Sequence, residues 1–222
     1  MNTNQLQERK IIRVQMRRRR KRLNKLGQLN AEKNLAIVAR HYYPLRKATR
    51  ILSYAPFAGE ISPNKLIANL TRAKIYQPRI TNYRLGQMQC YPQTSSNERN
   101  SLGIHEPTIT TQPTPTQYFD VVLVPLVAFD RTGNRLGMGA GFYDRALSFK
   151  LNNPSLQRPL LVGLAHQFQE VKSLAAQSWD VPLDAILTDQ KLYLTRTSIA
   201  ANAYNSANNS CNNSANNKID KT

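Results

Sequence analysis

Three glycines in five positions, Gly137, Gly139 and Gly141, are followed at once by Phe142-Tyr143-Asp144-Arg145. This spacing strips Cβ atoms from a short turn and lets backbone N–H groups approach a ligand closely. A helix starting just after Gly141 would point its partial positive end at the same place, which is how proteins hold phosphate. Asp144 then stands where a carboxylate can take a Mg²⁺ bound to that phosphate. A glycine-rich connection between a strand and a helix is also ordinary loop chemistry. The pattern lacks the Lys-Ser/Thr of a P-loop and is not a clean dinucleotide fingerprint. Spacing alone leaves both readings open. His166 is the most tempting general base. No Ser-His-Asp set, Cys nucleophile or metal-type Cys/His cluster competes, and Cys90 and Cys211 fit free thiols in a reducing compartment.

The elements that must position these residues can be read on either side. Val121-Val122-Leu123-Val124 is a continuous apolar run of the kind buried on both faces of a parallel sheet, and Pro125 should end it. Asp130 to Asn134 reads as a tight turn. Upstream, residues 5–26 read as a basic helix and 29–43 as a second helix stopped by Pro44. A strand over 50–54 follows, then a third helix from Ser62 or Pro63 to about Thr71, and a short strand over 74–77. Residues 81–117, rich in Thr, Gln, Asn, Pro and Ser, read as irregular. Strands are expected over 160–164 and again within 179–189, where the fold should close. Strands separated by helices, with a glycine turn at a strand end, indicate an open, mostly parallel α/β sheet flanked by helices in three layers (α/β/α), with ligands at the C-terminal strand ends.

At 222 residues the chain has room for one domain of ordinary size, taken as 1–198, followed by an Asn-rich tail over 199–222 that lacks apolar periodicity. No apolar run approaches the roughly 20 residues of a membrane span. The N-terminus has no apolar secretory stretch, so a cytoplasmic protein is expected. A net charge of +18 argues for polyanionic partners, nucleic acid or phosphorylated nucleotides among them.

The stretch PLVAFDRTGNRLGMGAGFYDR, residues 125–145, resembles the signature of the 5-formyltetrahydrofolate cyclo-ligase (5,10-methenyltetrahydrofolate synthetase) family, in which AFD, a turn glycine, RLG and a GYYDR-like ending follow in order. Leu126 stands where the family usually has Gly, and Ala140 and Phe142 replace a Gly and a Tyr. Further matches run along the chain. Arg9, Ile12 and Arg13 resemble a K-x-x-L-R pattern, with Arg for Lys, and Arg20 and Leu23 an R-x-x-L. Tyr54 to Ile61 resembles Y-x-P-x-x-x-E-I, and Gly103 to Pro107 resembles G-I-x-E-P. Ala165 to Gln169 lies in a G-L-A-[YF]-x-x-Q-like segment. Trp179 to Asp189 resembles H-D-V-P-[LM]-D-x-[IV]-x-T-[DE], with Trp179 for the usual His. The resemblance covers roughly residues 9–190.

What the resemblance implies is specific. The cofactors are ATP and Mg²⁺. ATP contacts fall to Arg9, Lys10, Arg13, Gly137, Met138, Gly139, Ala140, Gly141, Phe142, Tyr143, Asp144 and Arg145. Substrate contacts fall to Ala55, Glu60, Met138 and Phe142, with Glu60 accepting from the pterin's N–H edge. Asp144 and Asp180 are the metal carboxylates. Tyr143 and Arg145 are the catalytic side chains, Arg145 acting on phosphate or pairing with Asp144. Glu106 is a secondary candidate, and His166, where the family has an aromatic, is assigned to stacking. The implied enzyme is a ligase of one-carbon metabolism that closes 5-formyltetrahydrofolate to 5,10-methenyltetrahydrofolate at the expense of ATP. It would be a cytoplasmic monomer, with a small-molecule folate partner (possibly polyglutamylated in form), no membrane and no requirement for nucleic acid. Two rival classes are a basic nucleic-acid-binding protein without turnover and a sugar-phosphate or CoA-type enzyme on a similar sheet.

Overall fold

The apolar run at Val121 forms the middle of a seven-stranded sheet. The structure, a computed structural model, describes residues 3–195 apart from 95 and 154; the expected tail over 199–222 lies outside the described residues. Six helices are described: α1 (Thr3–Arg22), α2 (Lys25–Ala39), α3 (Tyr43–Lys47), α4 (Asn64–Ala68), α5 (Phe142–Ala146) and α6 (Phe149–Asn152). The strands are β1 (Arg50–Leu52), β2 (Lys74–Asn82), β3 (Gln87–Pro92), β4 (Asn97–Arg99), β5 (His105–Pro107), β6 (Val121–Pro125), β7 (Ala128–Phe129), β8 (Arg135–Leu136), β9 (Leu160–Ala165), β10 (Ala185–Thr188) and β11 (Leu192–Leu194). The large sheet has the order β11-β10-β9-β6-β1-β2-β3. Its inner pairs are parallel, and β3 and β11 are antiparallel at its two edges. The expected three-layer α/β/α architecture is what is found.

Alternation along the buried strands divides the core in two. Val121 and Leu123 face one side with Ile51, Val162 and Leu164, and are covered by Leu35 and Ala39 of α2, Leu45 of α3 and Leu66 of α4. Val122 and Val124 face the other side with Leu52, Leu161 and Ile186, against Phe119, Leu147 and Phe149. Each such fully buried aliphatic side chain contributes roughly 1.5–3 kcal/mol. A third, smaller cluster joins Ile12 and Met16 of α1 to Val127, Ala128 and Leu136 of the β7–β8 hairpin. It fixes the basic helix beside the glycine turn.

Three expectations need correction. Pro44 does not stop the second helix, which ends at Ala39; instead it sits in the first turn of α3, where a missing N–H costs nothing. Residues 81–117 are not uniformly irregular, because β2 runs on to Asn82 and pairs with β3, while β4 and β5 form a hairpin. β2 tolerates Pro78 because β1 pairs with it only through Tyr76, which leaves Pro78 open on that side. β10 is not the closing strand, since β11 follows it antiparallel.

Candidate active site

The strand order reverses direction between β1 and β6, and open α/β sheets bind ligands beyond the strand ends at such a point. A cavity of about 940 Å³ lies there, lined by Tyr54 and Ala55 beyond β1 and by Pro125 and Leu126 at the end of β6. Helix α1 forms one wall. Its buried or half-buried residues Arg9, Arg13, Met16 and Arg20 recur at four-, three- and four-residue steps, so the inward face of the helix is largely cationic. Arg9 grips Asp180 with both nitrogens, at 2.8 and 3.3 Å, and also donates to the Ala175 carbonyl at 2.8 Å. Arg13 Nε donates to the Gly137 carbonyl at 2.9 Å. Burial, and after it the Arg9 guanidinium one turn away, lowers the Arg13 pKa against the pull of Asp180. Arg17 also lines the cavity.

Glu60 stands at another part of the cavity on a loop pinned at several points. Tyr54 Oη donates to the Ile61 carbonyl at 2.7 Å, and the Phe57 N–H donates to Glu60 Oε2 at 3.1 Å. Arg20 Nη1 lies 3.7 Å from Glu60 Oε1, and Arg20 Nη2 is 3.5 Å from Met138 Sδ. Burial raises the Glu60 pKa to about 7, with Arg20 and the Phe57 N–H pulling the other way. His166 is buried, with Nε2 3.2 Å from the Gly59 carbonyl and its ring stacked on Phe168 at 5.2 Å. Burial lowers its pKa, so it is a neutral support for the loop that carries Glu60 and does not line the cavity.

The glycine turn lies between the β7–β8 hairpin and α5. That helix has five residues, so its dipole is weak and the arginines supply most of the positive field. Arg145 does not pair with Asp144; its Nη1 donates to the Ala140 carbonyl at 2.6 Å and so braces the turn. Asp144 Oδ1 is held instead by Arg135, which is buried and also lies in the field of Asp180. The Tyr143 hydroxyl is buried without a hydrogen-bond partner, and burial, then Glu60, holds it protonated. Mg²⁺ is characteristically held by one or two carboxylates plus substrate phosphates and waters. Asp144 and Asp180 both line the cavity; nothing among the described residues hydrogen-bonds Asp144 Oδ2, while both oxygens of Asp180 accept from Arg9. No group of three or more His, Cys, Asp or Glu suited to a metal occurs among the described residues.

Of the residues assigned on resemblance, Ala55, Glu60, Arg9, Arg13, Asp180 and the whole stretch 137–145 line this cavity. Lys10 does not; it is exposed, because it falls a quarter-turn off the inward stripe of α1. Glu106 lines the cavity but accepts from the Ile80 N–H at 2.9 Å and from Asn100 Nδ2 at 2.8 Å, tying the β4–β5 hairpin to β2. Sequence reasoning missed Arg135 and the depth of Arg20. The signal for Arg20 was its place on the stripe, and the signal for Arg135 was its position two residues before the first glycine of the turn.

A model of the 5-formyltetrahydrofolate cyclo-ligase family matches residues 5–189. The 5-formyltetrahydrofolate cyclo-ligase of Haemophilus influenzae is 39% identical over 193 residues, covering 84% of this chain and 99% of that protein. The Escherichia coli K12 protein of the same name is 35% identical, covering 80% and 98%. The fold is similar to the NMR structure of Aquifex aeolicus 5,10-methenyltetrahydrofolate synthetase, with a TM-score of 0.71 at 24% identity, covering 85% of this chain and 93% of that one. A match that spans β1 to β10 and takes in α1, the Glu60 loop and the glycine turn leaves one conclusion: the chain belongs to the 5-formyltetrahydrofolate cyclo-ligase family.

Proposed function

We propose that this chain closes 5-formyltetrahydrofolate to 5,10-methenyltetrahydrofolate with conversion of ATP to ADP and phosphate. The observation that carries the reading is a single cavity with a cationic, glycine-lined part and a buried carboxylate, both at the switch point of the sheet. An N-formyl carbonyl is a poor electrophile because it shares the nitrogen lone pair. Transfer of the γ-phosphoryl group to the formyl oxygen, with ADP leaving, turns that oxygen into a leaving group. The N10 nitrogen then attacks the formyl carbon, loses its proton, and phosphate departs. Such chemistry asks for positioning and charge neutralisation more than for a protein nucleophile.

In this reading Arg13, Arg17 and the N–H groups of residues 137–141 bind the phosphates, and Arg145 keeps the turn in shape. Asp144 and Asp180 would hold Mg²⁺, which supplies charge neutralisation on the phosphates. Glu60 accepts from the pterin, Ala55, Met138 and Phe142 pack on the substrate, and the buried Tyr143 hydroxyl donates toward the formyl oxygen. The enzyme would act as a cytoplasmic monomer without nucleic acid. The test is absorbance of the methenylfolate band on mixing protein, ATP, Mg²⁺ and 5-formyltetrahydrofolate. A rise that needs ATP and Mg²⁺ and falls at least 100-fold in rate in Asp144→Asn is expected on the scale of losing one electrostatic contact at the reacting centre (about 10²–10³). No rise from folded protein would overturn the reading.

A further inference from the structure

We propose that Trp179 is the platform on which the adenine base of the nucleotide stacks, an assignment that rests on the ATP-dependent reading above. Trp179 lines the cavity and is 51% exposed. Among the described residues no ring stacks on it and no cation sits over it, so a wide aromatic face is open at the rim. The backbone that carries it is pinned. The Asp180 N–H donates to the Gln177 carbonyl at 3.0 Å, the Gln177 N–H donates to Asp180 Oδ2 at 3.0 Å, and Arg9 clamps the same carboxylate. A surface fixed beforehand loses little freedom when a ligand lands on it.

The contacts of α1 say which end of the cavity this is. Arg20 touches Met138 and faces Glu60, Arg13 holds the Gly137 carbonyl, and Arg9 holds Asp180. From Arg20 to Arg9 the helix rises about 16 Å at 1.5 Å per residue, a span comparable to an extended nucleoside triphosphate. With the reacting phosphate toward Glu60 and the phosphate chain running along Arg13 to the metal carboxylate Asp180, the base lies beyond that carboxylate, toward the rim of the cavity. Trp179 is the aromatic residue waiting there. Tyr83, the other exposed aromatic on the cavity, already has its ring against Phe142 at 5.8 Å.

Trp179 is the only tryptophan in the chain, so its emission reports on itself. ATP and ADP should quench it, whereas tripolyphosphate, which carries the charge without the base, should quench it much less. In steady-state kinetics Trp179→Ala should raise KM for ATP by roughly 5- to 150-fold, the range that one base–aromatic stack supports. It should leave KM for the folate and inhibition by tripolyphosphate unchanged, and Trp179→Phe should restore most of the loss. If wild type turns over but Trp179→Ala has an unaltered KM for ATP, or tripolyphosphate inhibition shifts equally, the assignment is wrong. If no methenylfolate forms yet ADP quenches more strongly than tripolyphosphate, the platform stands and the reaction proposed above falls. Neither turnover nor selective quenching would overturn both.

Discussion

Replacing Glu60 with Gln removes a carboxyl whose pKa the fold has raised from an ordinary 4.5 to about 7. A group that binds its proton more tightly when folded favours the folded state most while it is protonated. Its contribution is complete below pH 4.5 and drains away as pH rises toward 7. The difference between the two values is worth about 3 kcal/mol at 1.36 kcal/mol per pKa unit. Gln cannot titrate, so Glu60→Gln should gain on wild type by that amount between pH 4.5 and pH 7.5, and the gap should stay constant above that. Urea unfolding of both proteins at one-unit pH intervals measures the divergence directly. Parallel stability curves would refute the reasoning, because they would mean that Glu60 is not desolvated, or that Arg20 compensates it fully. The same group should give wild type an acidic limb near pH 7 in kcat/KM for the folate, absent from the residual activity of Glu60→Gln.

Three further substitutions test how the cavity is built. A Cβ on Gly86 would lie 2.1 Å from Arg145 Nη1 and 2.7 Å from the Ala140 carbonyl oxygen, and this residue has φ +61°. Gly86→Ala should therefore push the β2–β3 turn off the glycine stretch and lower kcat/KM at least tenfold, for a stability cost of only about 1–2 kcal/mol, which kinetics and thermal unfolding together would separate. A Cβ on Gly163 would lie 2.6 Å from Leu183 Cδ1 and 2.8 Å from Leu126 Cδ2, so Gly163→Ala should destabilise by about 1–3 kcal/mol in denaturant titrations. Leu126→Ala should relieve part of that cost, with a coupling energy of at least about 0.5 kcal/mol in a double-mutant cycle.

Much of the site was legible because its residues are close in sequence or sit on a helical period. The glycines, Tyr143 and Asp144 lie in one stretch, and the Arg9-Arg13-Arg20 stripe follows the turn of α1. What could not be read was pairing across the fold. Asp144 finds Arg135 and Asp180 finds Arg9, and no local pattern says which carboxylate each arginine meets. The β2–β3 hairpin was hidden for a different reason. β3 is an edge strand whose Gln87 and Gln89 face solvent while Cys90 and Tyr91 are buried, so its composition reads as polar loop. Leu126 is also easier to understand in three dimensions than in one. Its side chain lies over Gly163, whose missing Cβ makes the room for it.

The row of arginines along α1 has a thermodynamic consequence for the unliganded enzyme. Arg9, Arg13 and Arg17 are one turn apart, a spacing at which like charges weaken a helix by about 0.2–0.5 kcal/mol per pair. If, as proposed above, the phosphates of ATP bind along this row, that repulsion is relieved when they settle among the guanidiniums. Anchoring of α1 and affinity for polyanions therefore draw on one reservoir of free energy. Ligand saturation should be felt as heat resistance concentrated in the first twenty residues, and salt, by screening the row, should firm the helix while loosening its grip on the nucleotide.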